Sequence, residues 1–162
     1  MFTGEEISHF LVSLGITHVV MVPDSTLGLW EPALALSKEL SLVPVCREGE
    51  AWGVAAGLYL GGATPLVMIQ CTGLFESGDA LRNVLYDYGL PLYAFIGYRS
   101  YLNQSTLPGD TCLTFTEPIL KAWNLDYRLI LDPKQLDEIW THYRDCQEKQ
   151  IPGVALIAEG RA

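Results

Sequence analysis

Apolar positions recur along this chain at two different periods, and segments of the two kinds alternate. Ile7, Phe10, Leu11 and Leu14 follow helical spacing after a Thr3 to Glu6 capping box, and Gly15 supplies a left-handed stop, so a first helix is expected there. Thr17 to Val22 is a nearly continuous apolar run of strand length closed by Pro23-Asp24, which reads as a strand buried on both faces. The alternation continues, with further strands expected over 41–45, 65–69, 91–96, 126–131 and 153–158 and helices near 28–40, 49–60, 78–88, 115–124 and 133–148. Short apolar strands alternating with helices imply a single doubly wound α/β domain: a six-stranded, mainly parallel sheet with right-handed crossovers and helices on both faces. Ligands of such sheets bind at the carboxyl ends of the strands, which directs attention to Pro23-Asp24-Ser25, Arg47-Glu48, Gln70-Cys71-Thr72-Gly73 and Gly97-Tyr98-Arg99.

The length of 162 residues fits one domain, and 49% hydrophobic residues suffice for its core without disulfides or metal. A net charge of −9 repels polyanions, so nucleic acid is not an expected partner. Cysteines 46, 71, 112 and 146 show no C-x-x-C spacing, and His9, His18 and His142 read as lying near none of them; no metal site is expected, and a reducing cytoplasm fits best. The acidic start Met1 to Glu6 does not resemble a secretory signal, and no apolar run reaches the ~20 residues of a membrane span. Only 18% of residues are charged, which suggests that part of the surface is covered by another subunit.

Phosphate-binding loops of the G-x-G-x-x-G and G-x-x-x-x-G-K-[ST] types are missing, as is a G-x-S-x-G elbow, so dinucleotide, P-loop and serine hydrolase chemistry have no support. Gly49, Gly53, Gly57 and Gly61 repeat every four residues along one helical ridge. Each costs roughly 1 kcal/mol relative to Ala, which implies close approach of a neighbour, either within the chain or across a subunit interface. Glu48 and Glu50 open the same helix, where the macrodipole favours carboxylates by about 0.3–1 kcal/mol. Helix stabilisation and chemistry therefore both remain open for them, and Arg47 reads equally as an ion-pair partner of either. The irregular stretch from Arg99 to Leu113 is long enough to be a lid or specificity loop, although an ordinary surface loop has the same composition.

Five elements occur in order and in register across the βα units: Val22-Pro23-Asp24-Ser25, Arg47-Glu48-Gly49-Glu50-Ala51, Ala56-Gly57-Leu58-Tyr59, Gln70-Cys71-Thr72-Gly73-Leu74 with Ser77-Gly78-Asp79, and Gly97-Tyr98-Arg99. This set resembles the pyrimidine-binding (PYR) domain of thiamine-diphosphate-dependent decarboxylases. Within that family it is most similar to the branch of sulfopyruvate decarboxylase alpha subunits and phosphonopyruvate decarboxylases. The resemblance covers nearly the whole chain, and the PYR domain is expected over residues 1–162. It implies an enzyme: a carboxy-lyase subunit that decarboxylates a 2-oxo acid, with sulfopyruvate giving sulfoacetaldehyde and carbon dioxide. Phosphonopyruvate or another 2-oxo acid is the alternative substrate, and a non-catalytic α/β regulatory or binding module is the alternative of a different class.

In that family a Glu nine positions before the Gly of an A-x-G-[YL] element hydrogen-bonds the aminopyrimidine; counting back from Gly57 gives Glu48, not Glu50. The resemblance implies that this carboxyl group shares a proton with the cofactor ring and so activates its thiazolium carbon. Burial of Glu48 among Ala, Val and Trp side chains is expected to promote that sharing. It further implies Asp24, Ser25, Gln70, Thr72 and Gly73 near the pyrimidine, and Arg99 with the following loop, including Gln104, at the substrate. Arg99 as a plain surface ion-pair residue is the alternative. The family holds the diphosphate and its Mg2+ through a G-D-G motif and a later Asn on a second domain, and no G-D-G occurs here. A beta subunit carrying that domain is implied, in a hetero-oligomer with at least two alpha chains. Relatives commonly place Asn where Cys71 stands, and residues 98–113 contain no His, a feature that tilts the resemblance towards sulfopyruvate.

Overall fold

The computed structural model describes residues 2–25 and 27–159. Six strands form one all-parallel sheet in the order β2-β1-β3-β4-β6-β5: β1 (His18–Met21), β2 (Ser41–Pro44), β3 (Pro65–Gln70), β4 (Tyr93–Tyr98), β5 (Asp126–Ile130) and β6 (Gly153–Ala158). Seven α-helices connect them: α1 (Gly4–Ser13), α2 (Glu31–Leu36), α3 (Glu48–Leu60), α4 (Cys71–Glu76), α5 (Gly78–Arg82), α6 (Thr111–Ala122) and α7 (Leu136–Lys149). The doubly wound α/β reading is borne out.

The sequence pattern places these elements for recognisable reasons. Thr3 and Glu6 make the reciprocal capping box at the start of α1, and Gly15 takes φ +78° just past its end. Strands β3, β4 and β6, buried throughout except for Gln70 at the end of β3, form the middle of the sheet, and their residues alternate between two cores. Val67, Ile69, Ala94, Ile96 and Leu156 meet α3 to α6, whereas Leu66, Met68, Phe95, Ala155 and Ile157 meet α1, α2 and α7. The edge strands β2 and β5 are only partly covered, so the expectation of strands enclosed on both faces holds for the centre and fails at the edges. Pro44 ends β2, where its missing N–H is tolerated on an edge strand.

Three helices differ from expectation. The 28–40 segment is a 3-10 turn (Leu27–Trp30) followed by the short α2, because Ser37 turns extended. The 78–88 segment is α5 continued as a π-helical turn over Asn83–Asp87, with Tyr88 N–H donating to Asn83 O at 2.9 Å. Helix α6 begins at Thr111 rather than 115, because Asp110 caps it through Cys112 N at 3.0 Å. No helix among the described residues is long and apolar enough to cross a membrane.

Candidate active site

The sheet order reverses beside β1: the chain passes outward to β2 and then returns to lay β3 on the other side of β1. A crevice for a ligand is expected at the carboxyl ends of strands flanking such a switch. Helix α3 starts there, and its first turn separates two carboxylates of identical type. Glu50 turns back to accept the Cys46 N–H at 3.0 Å, an exposed capping contact. Glu48, the first residue of α3, instead turns towards α4 and lies over Gly73; a Cβ on Gly73 would stand 2.2 Å from Glu48 Cγ and 2.6 Å from Oε1. Glycine at position 73 is what lets that carboxylate occupy this place.

Glu48 makes no hydrogen bond among the described residues, so its oxygens are available to a ligand. It is half-buried rather than enclosed in apolar side chains as expected: it opens α3 directly after the bend at Cys46 and the exposed Arg47. A carboxyl group resting on a glycine, half-shielded and uncommitted, fits the aminopyrimidine nitrogen of the cofactor that the resemblance implies.

Arg47 pairs with neither Glu48 nor Glu50. Its guanidinium binds Glu76 Oε1 at the end of α4, while Glu76 Oε2 accepts the Gly49 N–H at 3.0 Å. The Arg47 hydrogen bond holds the Glu76 carboxyl below the ordinary carboxylate range. Glu76 thus fastens the amino end of α3 to α4, and Trp52 Nε1–H adds a buried bond to Ser77 Oγ at 3.0 Å. Helix α4 lies outside the helices expected from the sequence, where Gln70 to Gly73 read only as residues following a strand.

The remaining expected residues divide into those beside Glu48 at the carboxyl end of β3 and those committed to local structure. Gln70 caps the end of β3 and accepts the Thr72 hydroxyl at 3.2 Å; Thr72 is exposed and Gly73 buried beneath Glu48. Asp24 Oδ1 accepts the Leu27 N–H at 2.9 Å and so shapes the turn after β1, with Ser25 exposed beside it. Cys71 is fully buried against Thr116 and Cys112 of α6, and burial pushes its thiol pKa up. Arg99 Nε lies 3.4 Å from Asp110 Oδ2, which also accepts the Ser100 hydroxyl at 2.7 Å; that bond holds the Asp110 carboxyl below its usual range. Ser100 stands at φ +63°, and Leu102 N–H donates to Glu159 O at 2.9 Å. The 99–110 segment is therefore stapled at both ends, with Gln104 exposed on it.

Sequence reasoning overlooked Glu159, which follows β6 and is fully buried against β4. A Cβ at Gly97 would stand 2.1 Å from Glu159 Oε1. An acidic residue directly after the apolar run Gly153 to Ala158 is the signal that marks it in the sequence.

No protein-family model matches the chain. Individual proteins do. Sulfopyruvate decarboxylase subunit alpha of Methanococcus maripaludis is 27% identical over 151 residues, which span 93% of this chain and 89% of that one. The chain is a relative of these decarboxylase subunits. Sulfopyruvate decarboxylase subunit alpha of Methanothermobacter thermautotrophicus is 25% identical over 145 residues, covering 90% of this chain and 88% of the subunit. Phosphonopyruvate decarboxylase of Streptomyces viridochromogenes is 26% identical over 155 residues, and there the chain spans only 38% of the longer protein. The resemblance expected from the five sequence elements thus extends over nearly the whole chain.

Proposed function

We propose that this chain is the pyrimidine-binding alpha subunit of a thiamine-diphosphate-dependent 2-oxoacid decarboxylase, with sulfopyruvate as substrate, and that residues 1–162 are its PYR domain. The observation that carries the reading is the placement of Glu48: of the two acids opening α3, the one at the family spacing lies uncommitted over Gly73, while Glu50 is used as a cap. Relatives named as alpha subunits match this chain nearly end to end, and the chain spans only 38% of a decarboxylase that is a single longer protein.

When bound, the cofactor supplies the electron sink that decarboxylation of a 2-oxo acid requires. The chain's own residues have three tasks. Glu48 holds and shares a proton with the pyrimidine ring nitrogen. Gly73 keeps the space beneath it, and Gln70 and Thr72, with Asp24 and Ser25 across the switch point, line the pyrimidine end. Arg99, oriented by Asp110, faces the second anionic group of the substrate, with Gln104 on the same loop. The diphosphate and Mg2+ belong to a beta subunit. Support for such a partner comes from α3, whose exposed Gly53, Gly57 and Leu60 continue an apolar helix out to the surface, since a helix apolar all round is normally covered.

Co-expression with a short partner carrying the G-D-G motif, followed by carbon dioxide release from sulfopyruvate, phosphonopyruvate and pyruvate, tests the reading. Release fastest from sulfopyruvate, and lowered roughly 100-fold or more by Glu48→Gln, is the expected result. Full turnover of Glu48→Gln, or no release from any 2-oxo acid by the assembled complex, overturns it.

A further inference from the structure

At the opposite end of the sheet from Glu48, the first residues of β4, β5 and β6 meet helix α7. The histidines read as distant from every cysteine, and this is corrected here: His142 and Cys146 lie four residues apart on one face of α7, with Nε2 3.5 Å from Sγ. Asp126, which opens β5, brings Oδ1 to 3.5 Å from the same Nε2. We propose that Asp126, His142 and Cys146 form a binding site for a divalent cation of the zinc class.

Four observations converge on it. First, the S–N and N–O spacings, which also allow a weak hydrogen bond between Sγ and Nε2, match those of ligands around an ion. Bonds of about 2.3 Å to sulfur and about 2.0 Å to nitrogen and oxygen at tetrahedral angles separate S from N by roughly 3.5 Å and N from O by roughly 3.3 Å. The three donor atoms all lie within 4.8 Å of one another, so closing on an ion needs only a small movement of the half-exposed Asp126 carboxylate. Second, the imidazole is already oriented. His142 Nδ1 lies 2.7 Å from the buried Tyr93 hydroxyl, and with Nδ1–H donating to it the Nε2 lone pair faces Sγ and Oδ1. Such a bond on the far nitrogen is the usual support of a metal-bound histidine.

Third, room is kept for the sulfur: a Cβ on Gly153, the first residue of β6, would stand 2.5 Å from Cys146 Sγ and 2.8 Å from the Tyr93 ring. Fourth, His142 lines an open cleft of about 300 Å³ together with Asp137, Glu138 and Asp145, whose negative charge favours cation entry and from which water can complete the coordination. Arg128 lines the same cleft and donates from Nη1 to Asp126 Oδ1 at 2.8 Å and to Tyr127 O at 3.0 Å, so it competes with the ion for that carboxylate; its side chain is half-exposed. Thiolate, imidazole and carboxylate together select a borderline-soft ion over Mg2+ or Ca2+.

Titration of the chelator-treated full chain with Co2+ tests the site. One equivalent is expected to give a thiolate-to-cobalt charge-transfer band and the intense visible bands of a four-coordinate ion, both displaced by Zn2+. Cys146→Ser should abolish the charge-transfer band, while Cys46→Ser, at the exposed cysteine, should leave it. Asp126→Asn, a surface change that leaves the core intact, should weaken binding about tenfold or more, and Arg128→Gln should tighten it. A cobalt spectrum without the thiolate band, or one unchanged by both Cys146→Ser and Asp126→Asn, contradicts the proposal.

Discussion

Helices α3 and α7 are both crossovers of the parallel sheet, on opposite faces, yet their outer surfaces are unlike. Helix α7 buries Ile139, His142, Tyr143 and Cys146 and presents Asp137, Glu138, Arg144, Asp145, Glu148 and Lys149 around the rest of its circumference. Even its exposed Trp140 carries the Arg144 guanidinium over its ring at 5.5 Å. Helix α3 has no charged residue after Glu50. Its outward positions are Gly53, Gly57 and Leu60, the last 71% exposed. The first helix is finished as a surface against water, and the second is finished only at its amino end, where Glu48, Glu50 and Arg47 are placed individually. The contrast is what the proposed subunit contact on α3, with α7 facing solvent, would produce.

It also bears on the two readings of the glycine ridge. An added Cβ at Gly49 would make only ordinary contacts, with Ala80 at 3.5 Å and Glu76 at 3.6 Å. Added Cβ atoms at Gly53 and Gly57 meet nothing within 4 Å. The conformational cost of those two glycines is not offset by anything inside this fold, which is consistent with a partner's surface lying against them.

The largest effect is expected where the amino end of α3 meets α4. Gly73→Ala puts a methyl group into the space of Glu48 Cγ and should destabilise the chain by about 1–3 kcal/mol. By displacing the carboxylate it should also lower decarboxylation by the assembled complex roughly 100-fold. Thermal melting and steady-state rates measure the two consequences separately. Next comes the exposed ridge. Gly57→Lys should raise the stability of the isolated chain by about 0.5–1 kcal/mol through helix propensity, yet weaken assembly with the beta subunit by about 2 kcal/mol, roughly 30-fold. Glu148→Ala on α7 should leave assembly within about 0.5 kcal/mol of the original. If Gly57→Lys and Glu148→Ala affect assembly equally, the distinction between the helices is lost.

The smallest effect concerns pH. Arg47 and the Gly49 N–H hold the Glu76 carboxyl below its ordinary range in the folded chain, so its contribution is present above the unfolded pKa and is lost as pH falls through the folded value. Glu76→Gln should therefore flatten part of the acid-side decline in stability measured by denaturation below about pH 4.3.

Much of this architecture was legible in the chain because apolar runs and their Gly, Pro and Asp boundaries act locally. His18 to Met21, Pro65 to Gln70 and Gly153 to Ala158 are strands for reasons contained within themselves. Helix α4 was not legible, since six residues with glycine at the centre have little helix propensity of their own and are held by packing on α6 and by the bonds that Glu76 and Ser77 make to α3. The candidate site was legible to the level of residue type and family spacing. What separates Glu48 from Glu50 is the partner each one meets, Gly73 or the Cys46 N–H, and the first of these lies in another helix. The commitment of Arg47 to Glu76 crosses from one helix to another in the same way. By contrast, His142 and Cys146 at a four-residue spacing carried a signal readable from sequence, and only Asp126 required the fold.

The account depends most on the proposed hydrogen bond between Glu48 and the cofactor's pyrimidine, and its most direct measurement is the rate at which the thiazolium carbon of thiamine diphosphate exchanges hydrogen for deuterium in the assembled complex, followed by NMR after acid quench. Glu48→Gln should slow that exchange by two orders of magnitude or more, at roughly 100-fold, while Glu50→Gln leaves it near the original rate. Equal rates in the original and Glu48→Gln complexes, or a loss confined to Glu50→Gln, would contradict it.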